Sequence, residues 1–221
     1  MKFLYFIGWS SYRTFFKLYF RWRVYGVENV PKTGPLILAS NHASFLDPPL
    51  VGSALPREIN YLARDTLFRF PVIGWLLREV NAVPVDREGG GAAGLKAILD
   101  RLLAGNGIIL FPEGTRTIDG NLQKPRAGIG LTVIKSDAPV VPVRIFGTYE
   151  ALGKRDKFPR PHKVSVIFGQ PLDFSAFRAE SKHCSKPRLK EIYAEIANQI
   201  MNAIATLQLP QANESGKTSA R

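Results

Sequence analysis

Short apolar runs bounded by turn residues alternate with longer amphipathic stretches along most of the chain. PLILASN, EINYLA, GIILF, APVVPVRIFG and KVSVIFGQPL read as strands, RWRVYG as a shorter one, and NAVPVDR as extended. Between them, LFRFPVIGWLLRE reads as a short aromatic helical region. GGAAGLKAILDRLLAG reads as a helix with Leu95, Ile98, Leu99 and Leu102 on one face, and GLTVIKS is helical or mixed. A charged helix is predicted from about Pro187 to Leu207, and another near Ser44, where Asp47 three positions later gives capping-box spacing ahead of Pro48 and Pro49. The alternation predicts an α/β fold, with a central mixed sheet flanked by helices in a single domain.

The first 23 residues stand apart. Five basic residues and no acid occur from Met1 to Val27, and ten aromatic residues fall between Phe3 and Trp22. At about 100° per residue, Ser10, Arg13, Thr14, Lys17 and Arg21 share one stripe, whereas Tyr5, Trp9, Tyr12, Phe16 and Tyr19 share an apolar face. That pattern suits a helix in a membrane interface, with rings at headgroup depth and cations toward anionic lipid. The same face would also serve to pack the helix on a core. Arg13 and Lys17 interrupt it, so it is not a spanning segment, and it lacks the pattern of a secretory signal. The reading is therefore an amphipathic helical segment over 1–23, a domain over 24–207, and a tail over 208–221 that has nothing to bury and is expected to be disordered.

The length of 221 residues and 45% hydrophobic content suffice for one sizeable core. A single cysteine, Cys184, excludes intrachain disulfides and cysteine metal clusters, and the three histidines have no helical metal-ligand spacing. The formal charge of +12 calls for an anionic partner: nucleic acid, an acidic membrane surface or a phosphorylated substrate.

Two clusters carry chemistry. In NHASFLD, residues 41–47, His42 and Asp47 would not share a face inside one helix. They meet if His42 precedes the helix and Asp47 lies in its first turn. The carboxylate then fixes one imidazole nitrogen and leaves the other free to take a proton. Neither Ser40 nor Ser44 has a nucleophile-elbow context, so the histidine is expected to activate a hydroxyl on the substrate. In FPEGTR, residues 111–116, the chain leaves the strand GIILF at a place where α/β sheets bind ligands. Gly114 lets the backbone approach closely, Arg116 can hold phosphate through paired donors, and Glu113 is expected to orient Arg116. Arg64, Arg87, Lys124 and Arg126 are further candidates for an anion pocket. The glycine runs match neither a dinucleotide nor a P-loop pattern.

Together, NHASFLD and FPEGTR resemble the H-x-x-x-x-D and E-G-T-R signatures of the glycerophospholipid acyltransferase family, especially of members that acylate 1-acyl-sn-glycerol-3-phosphate. The likeness covers roughly residues 24–170. It implies a catalytic domain in which His42 and Asp47 are the catalytic pair, and Glu113, Gly114 and Arg116 are central to glycerophosphate binding. NAVPVDR resembles an intermediate motif that gives Arg87 a phosphate-binding role, though Asn81, Val83 and Val85 depart from its usual residues. PVVPVRI resembles a fourth motif, placing Pro142 structurally or near the acyl donor. LARDTLF and KPRAG resemble flanking basic elements, which supports Arg64, Lys124 and Arg126 as anion contacts.

The resemblance implies transfer of a fatty acyl group from acyl-coenzyme A or acyl-acyl-carrier-protein to the sn-2 hydroxyl of the acceptor, giving phosphatidic acid. It implies no metal or bound cofactor. It also implies a peripheral or monotopic place on the cell membrane, with the site on the cytoplasmic side. LFRFPVIGWLL is then a candidate lining for the acyl groove. The alternatives are an acyltransferase for another lysophospholipid or an amino-acid lysolipid and, more distantly, a basic nucleic-acid-binding protein, which would leave both clusters unexplained. Acyl-chain length and oligomeric state have no local signature in the chain.

Overall fold

The computed structural model describes residues 2–85 and 92–210. Its elements follow in the order α1 (Phe3–Tyr19), β1 (Arg23–Tyr25), β2 (Leu36–Ser40), α2 (Asp47–Ala54), β3 (Ile59–Arg64), α3 (Pro71–Glu79), β4 (Ala82–Val85) and α4 (Ala92–Leu103). They continue with β5 (Gly107–Leu110), α5 (Gly128–Ser136), β6 (Val140–Phe146), α6 (Thr148–Leu152), β7 (Ser165–Phe168), α7 (Ser175–Ser181) and α8 (Lys186–Thr206). Short 3₁₀ turns occupy Val27–Asn29 and Asp65–Arg69. Every segment read as a strand from its apolar run contains one; the short helices α6 and α7 have too few residues to show a period.

Among the described residues, the strands form one mixed sheet in the order β1-β7-β6-β2-β5-β3-β4. Neighbours are parallel except β6 and β7, which are antiparallel. β2 lies at the centre, and all five of its residues are buried. Its side chains alternate between two cores, as the two-residue period of a strand requires. Leu36 and Leu38 join Phe16, Phe20, Leu50, Val51 and Leu55 beneath α1 and α2. Ile37 and Ala39 join Ile129, Val133, Ile192, Ile196 and Ile200 beneath α5 and α8. Because β2, β3, β4, β5 and β6 run the same way, Ser40, Arg64, Val85, Leu110 and Phe146 end on one edge of the sheet. Ligands bind at that carboxyl-end edge in open α/β sheets.

The apolar stripe of α1 faces inward. Tyr5 and Phe16 are buried, Trp9 Nε1 donates to the Leu55 carbonyl at 2.9 Å, and Arg13 donates to the Ser53 carbonyl at 3.0 Å with its guanidinium over Trp9 and Trp22. The outward side carries Thr14 and Lys17 together with exposed Phe3, Phe6, Ile7 and Leu18. Thus α1 packs on the domain through Tyr5, Trp9 and Phe16 of the aromatic face, while Tyr12 of the same face remains exposed. No helix among the described residues is long and apolar enough to cross a membrane.

This packing sets an expected stability difference. Phe16→Ala should cost about 3–5 kcal/mol, whereas Leu18→Ala, at a position 77% exposed, should change stability by no more than about 0.5 kcal/mol. Urea denaturation of the two variants checks this, and equal effects would contradict the inward orientation of α1.

Candidate active site

His42 and Asp47 meet just beyond β2. α2 begins at Asp47, three residues later than the Ser44 start expected from sequence, with Pro48 and Pro49 in its first turn. The capping-box spacing still has a physical effect, because Asp47 Oδ2 accepts the backbone N–H of Ser44 at 2.7 Å, and also that of Ala43 at 2.7 Å. The same oxygen lies 2.8 Å from His42 Nδ1. Asp47 is fully buried while the His42 side chain is 13% exposed. With its proton on Nδ1, the imidazole donates to this carboxylate and leaves Nε2 as the acceptor.

The second cluster grips the first. Glu113 Oε1 accepts the backbone N–H of His42 at 3.3 Å, and the Thr117 N–H donates to the His42 carbonyl at 2.9 Å. The Phe111 ring stacks on the imidazole with centroids 3.8 Å apart at 16°. From the other side, Asn41 mimics a strand neighbour for β6: its Nδ2 donates to the Ile145 carbonyl and its Oδ1 accepts the Ile145 N–H, at 3.0 and 2.8 Å. The histidine backbone is therefore held by segments that leave β5 and by a residue anchored on β6.

Of the basic residues singled out in the sequence, Arg116 reaches the histidine loop, with its guanidinium 3.5 Å above the Phe45 ring. Arg126 donates its backbone N–H to the Pro112 carbonyl at 2.8 Å. Its side chain crosses Gly114, whose φ is +70° and where an added Cβ would lie 2.8 Å from Arg126 Nε. Gly114 thus admits both the left-handed turn and the arginine. Arg64 is exposed at the end of β3, on the site edge of the sheet, and Lys124 is exposed on the long loop. Arg87 lies outside the described residues. Pro142 is buried within β6 opposite Ala39, and its carbonyl accepts the Gly169 N–H at 2.8 Å, so it sits in the sheet interior.

Glu113 reaches the histidine backbone and not Arg116, in contrast to the orienting role expected for it. Burial, reinforced by the nearby Asp47 charge, pushes its carboxyl up to about 7, against the opposing effects of the His42 N–H and Arg144. Arg144, on β6, gained no notice from sequence because it stands alone in an apolar strand. Lys154 was likewise missed. Its Nζ donates to the Arg116 carbonyl at 3.3 Å, and it helps line a cavity of about 270 Å³ with Ile118, Tyr149, Arg155 and Arg160. Among the described residues, no group of three or more acidic, histidine or cysteine side chains could hold a metal ion.

The raised Glu113 carboxyl gives a pH signature. Folded Glu113 keeps its proton to higher pH than the unfolded chain does, so its contribution to stability is full below its ordinary value of 4.5 and is lost as pH rises to about 7. Denaturation of the wild type should show that fall, and Glu113→Gln should remove its share. An unchanged pH slope in the variant would contradict the assignment.

A family model described as Acyltransferase matches residues 21–146. The chain is 30% identical over 156 residues to a 1-acyl-sn-glycerol-3-phosphate acyltransferase of Bacillus subtilis (strain 168), covering 70% of this chain and 75% of that protein. It is 32% identical over 177 residues to the chloroplastic 1-acyl-sn-glycerol-3-phosphate acyltransferase BAT2 of Brassica napus, covering 77% of this chain but 51% of that one, and so spans about half its length. The crystal structure of the 1-acyl-sn-glycerophosphate acyltransferase PlsC from Thermotoga maritima matches with a TM-score of 0.67 at 26% identity, covering 91% of this chain and 81% of that one.

Proposed function

Because the chain belongs to the acyltransferase family, we propose that it transfers a fatty acyl group from an acyl thioester to the sn-2 hydroxyl of 1-acyl-glycerol-3-phosphate, giving phosphatidic acid. The observation that carries this reading is the imidazole held by a buried carboxylate at the carboxyl-end edge of the sheet, with Arg116 and Arg126 brought to the loop beside it.

In the proposed reaction, His42 Nε2 takes the proton of the sn-2 hydroxyl as the oxygen attacks the thioester carbonyl. The C–S bond of the resulting tetrahedral species breaks, and the carrier's thiolate leaves with the proton returned by the imidazolium. Asp47, 2.8 Å from Nδ1, stabilises the imidazolium while it exists. Arg116 is the principal anchor for the acceptor's phosphate, supported by Arg126 and, at the rim, by Arg64 and Lys124, with Arg87 as a further phosphate contact. Holding the phosphate turns attack by a freely diffusing acceptor into attack by a positioned one. Glu113 and Asn41 hold the backbone around His42. Either coenzyme A or acyl carrier protein presents the acyl group, and the chain works as a peripheral or monotopic protein on the cytoplasmic face of a membrane.

The test is acyl transfer by the purified protein to a panel of lysophospholipids with both thioester donors supplied, read by mass spectrometry. Phosphatidic acid should form from lysophosphatidic acid, and His42→Ala and Asp47→Asn should each lower the rate by about 10²- to 10⁴-fold with the fold intact by circular dichroism. Arg116→Ala should raise the KM for the acceptor more than that for the donor. Transfer to a different lysolipid alone would replace the acceptor, and product formation independent of His42 would overturn the mechanism.

A further inference from the structure

The 3₁₀ turn Asp65–Arg69 and α3 place six large apolar side chains in solvent within ten positions. Leu67 is 41% exposed, Phe70 58%, Val72 75%, Ile73 47%, Trp75 51% and Leu76 50%. Monomeric soluble proteins rarely leave so continuous an apolar surface uncovered unless something binds it. The opposite face of α3 packs on the preceding turn: Gly74 is buried and lies so close to Phe68 that an added Cβ would meet the Phe68 carbonyl oxygen at 2.6 Å. Arg78 lays its guanidinium over the Phe68 ring at 5.5 Å. These contacts fold α3 back on the turn that precedes it and leave its apolar side outward.

The surface continues onto α1. A Cβ at Gly8 would lie 3.8 Å from Val80 Cγ1, so the N-terminal half of α1 runs beside the end of α3. There Phe3, Phe6 and Ile7 are also exposed. Exposed Arg64, Arg69 and Arg78 border the α3 segment, and exposed Lys2 borders the start of α1. An apolar face with an indole, rimmed by arginine and lysine in a chain of net charge +12, matches the layered chemistry of an anionic phospholipid surface. An acyl groove would enclose these side chains, and Val72 at 75% exposure is enclosed by nothing.

We propose that α3 and the turn before it are the main apolar insertion element, entering the interfacial layer of an anionic bilayer with the first turns of α1 alongside. α1 supplies less than its composition suggests, because Tyr5, Trp9 and Phe16 are turned to the domain. The proposal rests on the lipid-acylating reading only for the presence of a bilayer, and its test does not depend on turnover.

The full chain is mixed with vesicles of phosphatidylcholine and phosphatidylglycerol in which some acyl chains are brominated near the headgroup. Trp75 should be quenched, and most of the quenchable emission should vanish in Trp75→Phe, leaving the signal of Trp9 and Trp22. Val72→Glu and Ile73→Glu should each lower partitioning by about tenfold to a hundredfold, whereas Leu103→Glu, at an equally exposed site on α4, should leave it unchanged. Vesicle binding with Trp75 unquenched would overturn the proposal while leaving the enzymatic reading intact. So would α3 variants that bind vesicles normally but lose transfer to water-dispersed acceptor, since the segment would then line the acyl site. A dimer in lipid-free solution that Val72→Glu dissociates would assign the surface to a second copy and overturn it as well.

Discussion

One buried oxygen organises the site. Asp47 Oδ2 lies within hydrogen-bonding distance of the His42 ring and accepts from two consecutive backbone N–H groups, at 2.7–2.8 Å, in a residue with no solvent exposure. A buried carboxylate is costly unless it is well bonded, and here the bonds made by Oδ2 are also those that close the turn between β2 and α2, while Oδ1 is buried without a hydrogen-bond partner. Removing the carboxylate would therefore loosen the turn as well as free the imidazole. The position of the turn depends in turn on β2, whose side chains are committed alternately to two cores and cannot slip by one residue without exchanging them.

The histidine is also where separate parts of the chain converge. The loop after β5 holds both ends of its peptide through Glu113 and Thr117 and covers its ring with Phe111, while Asn41 ties the preceding residue to β6. The anion-binding candidates Arg116 and Arg126 belong to that same loop. Under the proposed function, binding of the acceptor's phosphate and alignment of the base would thereby be linked by short, direct contacts. The exposed apolar surface is a separate matter: Tyr5 and Phe16 of α1 are buried, but Phe3, Phe6, Tyr12 and Phe15 are exposed, as are Phe70, Val72, Ile73, Trp75 and Leu76 at α3.

Much of this was legible in the chain. Apolar runs located the strands, because a buried strand needs a short continuous run between turn residues. The five-residue spacing of His42 and Asp47 required a boundary between them, and the boundary is there. The start of α2 was placed too early because Asp47 serves the turn from the first helical position. Tyr5, Trp9 and Phe16 of the apolar stripe of α1 meet the domain but Tyr12 does not, and a stripe is the same whether a bilayer or α2 covers it. The reach of Glu113 to the His42 backbone had no local signal, nor did the proximity of Arg144, because contacts between residues 42, 113 and 144 depend on strand order and not on spacing. Family resemblance pointed to the same loop without revealing what holds it.

The central claim is that Asp47 fixes the His42 proton on Nδ1 and keeps Nε2 available as a base. With three histidines in the chain, long-range ¹H–¹⁵N correlation spectra of ¹⁵N-histidine-labelled protein can assign the ring nitrogens by comparison with His162 and His183 variants. The account predicts that neutral His42 is the Nδ1–H tautomer and that this preference is lost in Asp47→Ala. A neutral His42 protonated on Nε2, or one whose tautomer is indifferent to Asp47, would contradict it.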